Sequence, residues 1–121
     1  MIVAGFGFRG AATASSLHAA LAATEQTQVD ALAAPRDKAQ TEVFQEFAED
    51  KAIPVLEISA DQLQTVETAT QSDHSQTHRG TGSVAEACAL AAAGPQAELI
   101  THRQVSPDRL ATCAIAIGAR S

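Results

Sequence analysis

Two glycine-rich stretches each carry an arginine, and each stands just ahead of an alanine-rich segment. Gly5-Phe6-Gly7-Phe8-Arg9-Gly10 follows a short apolar run. Glycines in that setting let backbone N–H groups approach an anion, and the start of a helix adds a favourable dipole. Arg9 places a fixed positive charge at the same point. Arg79-Gly80-Thr81-Gly82-Ser83 repeats the arrangement farther along. There Gly80 and Gly82 permit a nest of N–H groups, with the Thr81 and Ser83 hydroxyls beside it. Guanidinium forks on loops suit carboxylate or phosphate. If the two loops share one edge of a sheet, they could hold a ligand with several carboxylates.

Other residues could do more than bind. Lys38 follows the second apolar segment, with Asp37 directly before it. A lysine beyond a strand end is well placed for catalysis. Glu86 could act as a general base beside the second glycine loop, although the spacing Ser83-x-x-Glu86 already accounts for it as a capping box. Lys38, Asp37 and Glu86 are therefore the candidates for any catalytic role. The pattern G-x-G-x-x-G also occurs in dinucleotide-binding proteins, which need an acidic residue at the end of the second strand. Asp30 comes too early for that and Asp37 lies beyond a proline, so no cofactor is assigned. His74 and His78 are spaced for metal on a helix, but their surroundings read as a loop without a third ligand, and no metal site is expected. Cys88 and Cys113 lie in apolar segments and read as small core residues.

These residues must be carried by regular elements. Ile2–Phe6, Val29–Ala34 and Pro54–Ile58 read as strands, and Ala11–Thr24 as a helix with Leu17 and Leu21 on its inner face. A helix capped by Asp37 turns Val43, Phe44, Phe47 and Ala48 inward, and Ser59 with Gln62 forms a capping box. Residues 68–80 read as a polar loop. A helix from Ser83 through Leu90 is stopped by Gly94-Pro95. Glu98–His102 and Leu110–Ile117 then form a hairpin joined by Arg103-Gln104-Val105-Ser106-Pro107-Asp108-Arg109. Strands alternating with helices and followed by a hairpin indicate an α/β fold with a mixed sheet, in a single domain spanning residues 1–121.

Composition excludes several partners. Of 121 residues 27 are alanine, while Val, Ile, Leu and Phe together supply only 25. Such a chain can hold a core only if its helices pack closely through small side chains. The net charge is −6 and tryptophan and tyrosine are absent, which argues against nucleic acid. No apolar run approaches the roughly 18 residues of a membrane span, and Arg9 interrupts the start too early for a signal peptide. No membrane association and a cytoplasmic location are expected. Charge is also segregated. Residues 1–78 hold 4 basic and 11 acidic side chains, whereas residues 79–121 hold 4 arginines against 3 acids. Arg36 and Arg120 read as plain surface charges.

The stretches VAGFGFRGAAT (3–13), ALAAPRDKA (31–39), RGTGSVAEACALAAAG (79–94) and ITHRQVSPDRLATCAIAIG (100–118) resemble the CobE family and the C-terminal domain of CbiG, both of cobalamin (vitamin B12) biosynthesis. The resemblance spans almost the whole chain, and its length is that of stand-alone CobE. It implies a three-layer α/β/α domain with a mixed sheet. It also implies roles for Arg9, Thr13 and Lys38, and for Arg103 and Ser106 at a turn where the family has a K-R-x-S pattern. Gly10 and Ala11 depart from the family's G-x-G-x-R-R-G loop, and His102 replaces a lysine.

The expected substrate-binding set is therefore Gly5, Gly7, Arg9, Thr13, Lys38, Gly80, Thr81, Gly82, Ser83, Arg103 and Ser106. The expected ligand is a precorrin or corrin intermediate, bound or handed on through its carboxylates. An enzymatic step on the same macrocycle, such as the lactone opening of CbiG-type proteins, is the alternative. A docking module for methyltransferases of the pathway is a further one.

Overall fold

β-strands at the chain's two ends meet in the middle of one sheet. The computed structural model describes residues 1–26, 28–63, 84–94 and 97–118. In chain order the elements are β1 (Ile2–Phe8), α1 (Ala14–Ala23), β2 (Ala31–Pro35), α2 (Arg36–Ala39), α3 (Glu42–Lys51), β3 (Val55–Ile58), α4 (Val84–Ala93), β4 (Glu98–Val105) and β5 (Ala111–Ile117). The five strands form a single sheet in the order β3-β2-β1-β5-β4. β1, β2 and β3 are parallel neighbours, while β5 runs antiparallel to both β1 and β4. The mixed sheet and terminal hairpin are those the sequence predicts.

Local chemistry sets the helix boundaries. Thr13 caps α1 in a reciprocal box with Ser16, each side chain bonding the other's backbone N–H. The helix therefore starts at Ala14, later than the alanine run suggests. Asp37 lies inside the four-residue α2, and the cap of α3 is Thr41, whose hydroxyl accepts from the Phe44 N–H. Ser59 and Gln62 make the expected capping box ahead of a helical segment at 60–63. Gly94 ends α4 at φ 117°, a left-handed conformation that suits glycine.

The sheet's two faces are covered differently. Alternation along β1 sends Ala4, Phe6 and Phe8 toward α1 and α3. There Phe6 meets Phe44 and Phe47 edge to face, with ring centroids 5.6 and 5.1 Å apart, and Leu17, Leu21 and Leu32 complete the core. The opposite face receives α4, whose Ala85, Cys88 and Ala89 are fully buried. Burial pushes the Cys88 thiol up to about 12 and raises that of Cys113, so both are inert core groups, as expected.

The expectation for the first glycine stretch is corrected. β1 does not end at Phe6, because Gly7 and Phe8 continue to pair with Thr112 and Ala111 of β5. Gly5 and Gly7 are strand residues, not members of an anion-binding turn. A Cβ at Gly5 would lie 2.3 Å from the Ala85 carbonyl oxygen and 2.4 Å from the Ala89 nitrogen. Gly5 is the seat on which the backbone of α4 rests.

Gly5→Ala is accordingly expected to push α4 off the sheet and destabilise the fold by at least the roughly 1–3 kcal/mol of core overpacking. Gly10→Ala, whose Cβ would meet nothing within 4 Å, serves as the near-neutral control. Urea midpoints of the two variants decide the matter, and equal midpoints would remove Gly5 from its structural role.

Candidate functional site

In a sheet of this kind ligands bind outside the carboxyl ends of the parallel strands. That edge of the sheet here collects the ends of β1, β2 and β3 and the turn between β4 and β5. Arg9 follows β1 directly and is exposed, while its backbone N–H donates to the Leu110 carbonyl at 2.9 Å. Lys38 follows β2 on α2, half-buried, and its Nζ lies 5.2 Å from the centroid of the Phe8 ring. Phe8 in turn stacks on Phe44 with centroids 5.8 Å apart. The structure thus brings the backbone of Arg9 and the Lys38 ammonium to the same end of β1. Neither makes an ion pair among the described residues.

A cleft of about 390 Å³ opens past the ends of β2 and β3, lined by Pro35, Arg36, Asp37, Gln40, Ile58 and Ser59 among others; Arg9 and Lys38 do not line it. Asp37 therefore borders open space. Arg36 lies 3.9 Å from Glu57 with both side chains well exposed, an arrangement of little energetic weight and in keeping with a surface charge.

The turn after β4 differs from the expected loop. Arg103 belongs to β4, since that strand continues to Val105. Its side chain is exposed, and its backbone N–H donates to Glu86 Oε2 at 3.0 Å. The same oxygen lies 3.4 Å from His102 Nδ1. Glu86 thereby ties the first turn of α4 to β4. Ser106 is 1% exposed, so it does not present its hydroxyl to the open edge. That hydroxyl donates to Asp108 Oδ1 at 2.5 Å and accepts from the Ala111 N–H.

Asp108, which sequence reasoning passed over, organises this corner. Its second oxygen accepts from Ser16 Oγ at 2.6 Å, and Oδ1 also accepts from the Leu110 N–H. The hairpin turn is therefore latched to the first turn of α1, the same turn that Thr13 caps. Thr13 serves as this helix cap and contacts Ser16. The Ser-Pro-Asp sequence is a recognisable turn signal, but nothing local announces the partner at Ser16. The hydrogen bond from Ser106, followed by those from Ser16 and Leu110, holds the Asp108 carboxyl below the usual carboxylate range.

The second glycine loop, Gly80, Thr81, Gly82 and Ser83, lies outside the described residues, as do Arg79, His74 and His78. The start of α4 is described, however, and Val84 Cβ would sit 3.4 Å from a Cβ on Gly7. The helix that the second loop precedes thus begins beside the end of β1. Among the described residues no group of acidic, histidine or cysteine side chains could hold a metal ion.

A family model described as cobalamin synthesis G C-terminus matches residues 2–116. The chain belongs to this family. Cobalamin biosynthesis protein chiG from Agrobacterium tumefaciens strain C58 is similar to it at 34% identity, with a TM-score of 0.82 over 99% of this chain and 100% of that one. CobE, described as a protein from the cobalamin (vitamin B12) biosynthetic pathway, is similar at 28% identity. Its TM-score is 0.74, over 96% of this chain and 89% of that one. No curated protein matches. The resemblance read from the residues and the α/β fold it implies are both borne out. This member of the family is a cobalamin biosynthesis protein.

The latch has a pH signature. The native pKa of Asp108 lies below the roughly 3.9 of an unfolded aspartate. Its contribution is therefore complete above that value and is lost as pH falls through the native pKa. Asp108→Asn is expected to flatten the acid limb of the stability curve, read as urea midpoints between about pH 2 and 6. An acid limb unchanged in the variant would show that the latch does not titrate.

Proposed function

We propose that the carboxyl edge of the parallel strands binds a precorrin or corrin intermediate through its peripheral carboxylates and hands it on within cobalamin biosynthesis. The observation that carries this reading is the pair of cations beside Phe8. Arg9 and Lys38 come from different crossovers, converge on one end of β1, and are unpaired among the described residues. Family membership supplies the pathway, and corrin intermediates are large rings rimmed with acetate and propionate groups. A guanidinium offers such a group a two-pronged charged hydrogen bond, and the lysine a point charge.

The cleft past the ends of β2 and β3 is a separate opening on the same edge, lined by neither cation. At about 390 Å³ it falls toward the small end of the range for drug-sized ligands. It suits one side group of a macrocycle, with the ring lying across the edge. Arg103, farther down the outer strand, would meet only a ligand that extends over β4.

Retention of a metal-free corrin polycarboxylate on a sizing column tests the proposal, with the visible spectrum as readout. The chain lacks tryptophan and tyrosine, so bound pigment is seen without interference. Comigration at micromolar concentration is expected. Arg9→Ala and Lys38→Ala should each weaken it by about 1.5–3 kcal/mol, the value of a hydrogen bond to a charged group. The same corrin with its carboxylates converted to amides should bind poorly. Absence of comigration, or equal retention of the amide, rejects the proposal. A change in the mass of the recovered pigment would point instead to an enzymatic step.

A further inference from the structure

We propose that Arg109 is a further anion-binding residue of this edge, acting with Arg9 on neighbouring carboxylates of one ligand. The ligand class rests on the reading above; the pairing of the two arginines does not.

The geometry follows from the β1–β5 ladder. Its last paired residues are Phe8 and Ala111. One step farther, the Arg9 N–H donates to the Leu110 carbonyl at 2.9 Å. The next residues outward on the two chains are Gly10 and Arg109. A Cβ built on Gly10 would meet nothing within 4 Å among the described residues. Both arginines are exposed, and neither forms an ion pair among the described residues. Asp108, the one acid in the turn, already accepts from Ser16, Ser106 and Leu110. The corner thus holds two guanidinium groups on backbone that hydrogen bonds join directly.

The backbone of Arg109 points the same way. Its φ is 63°, a left-handed conformation that disfavours a side chain with a Cβ, and its N–H is pinned to the Ser106 carbonyl at 2.8 Å. Glycine or asparagine would hold this turn with less strain. What arginine adds here is an exposed charged fork.

The test separates turn from fork. Arg109→Gly should leave thermal stability unchanged or raised, since glycine accepts the left-handed turn. Citrate and the metal-free corrin polycarboxylate serve as probes for this variant, for Arg109→Lys and for Arg9→Ala. Arg109→Gly is expected to weaken both probes by about tenfold, as loss of one charged fork implies. Arg109→Lys should fall between it and the unaltered protein. In the double variant with Arg9→Ala the two losses should not simply multiply, because both forks act on one ligand. If citrate binding depends on Arg109 while the corrin does not bind, the pairing stands and the corrin reading falls. If the corrin binds equally with and without Arg109, the pairing falls and the corrin reading stands. Binding of neither probe by the unaltered protein overturns both.

Discussion

The structure depends on how closely α4 lies against β1. Gly5 removes the side chain that would hold the helix away, and Ala85 and Ala89 bring their backbone into the space. The same device recurs at the other end of the helix, where a Cβ on Gly118 would lie 2.6 Å from the Ala93 carbonyl oxygen. Both ends of α4 are thus seated over glycines. An alanine-rich helix gains little from burying each side chain, so its stabilisation comes from many backbone and methyl contacts at short range. This resolves the shortage of large apolar residues. The chain concentrates Phe6, Phe44, Phe47, Leu17 and Leu32 on one face of the sheet and covers the other with a thin layer.

That thin layer has a consequence for the site. Lowering α4 places Val84 beside Gly7 and lets Glu86 reach the backbone of β4. On the opposite face Thr13, Ser16 and Asp108 fasten the start of α1 to the hairpin turn. The residues facing the open edge are therefore carried on backbone that is bonded from both sides. Arg9 is tied to Leu110, Leu110 to Asp108, and Asp108 to Ser16. Cations held on such a frame can match a fixed spacing of carboxylates, which loose surface lysines cannot do.

The order of elements was legible because each signal is local. The Ser59–Gln62 box, the inward Phe44 and Phe47, and the stop at Gly94 depend on neighbours within a few residues. The glycines of β1 were misread for the opposite reason. A glycine that makes room for an anion and one that makes room for a helix look identical in sequence. The contact that distinguishes them comes from Ala85 and Ala89, about eighty residues away. Ser106 and Asp108 fail to declare themselves in the same manner, since their decisive partner is Ser16 on another element. Arg9 and Lys38 lie at one edge because residues just past strand ends gather there in any parallel sheet. Their placement needed the fold class and nothing finer.

The aromatic residues narrow the way a flat ring could be held. The chain has four phenylalanines and neither tryptophan nor tyrosine. Phe6, Phe44 and Phe47 are fully buried. Phe8 alone reaches the edge, and its ring is engaged by Phe44 and by the Lys38 ammonium. A macrocycle bound at this edge, as proposed, would find no free phenyl or indole face on which to stack. Stacking is worth about 1–3 kcal/mol per aromatic contact in other systems, and here that contribution is closed off. On that proposal recognition would come from the rim of the ligand, through charged groups set at the right separation. A net charge of −6 sharpens this demand. The surrounding acids repel a polyanion at long range, so a single carboxylate meeting a single cation gains little over water. A ligand whose carboxylates engage several cations of the edge at once gains from each of them and orders itself only once.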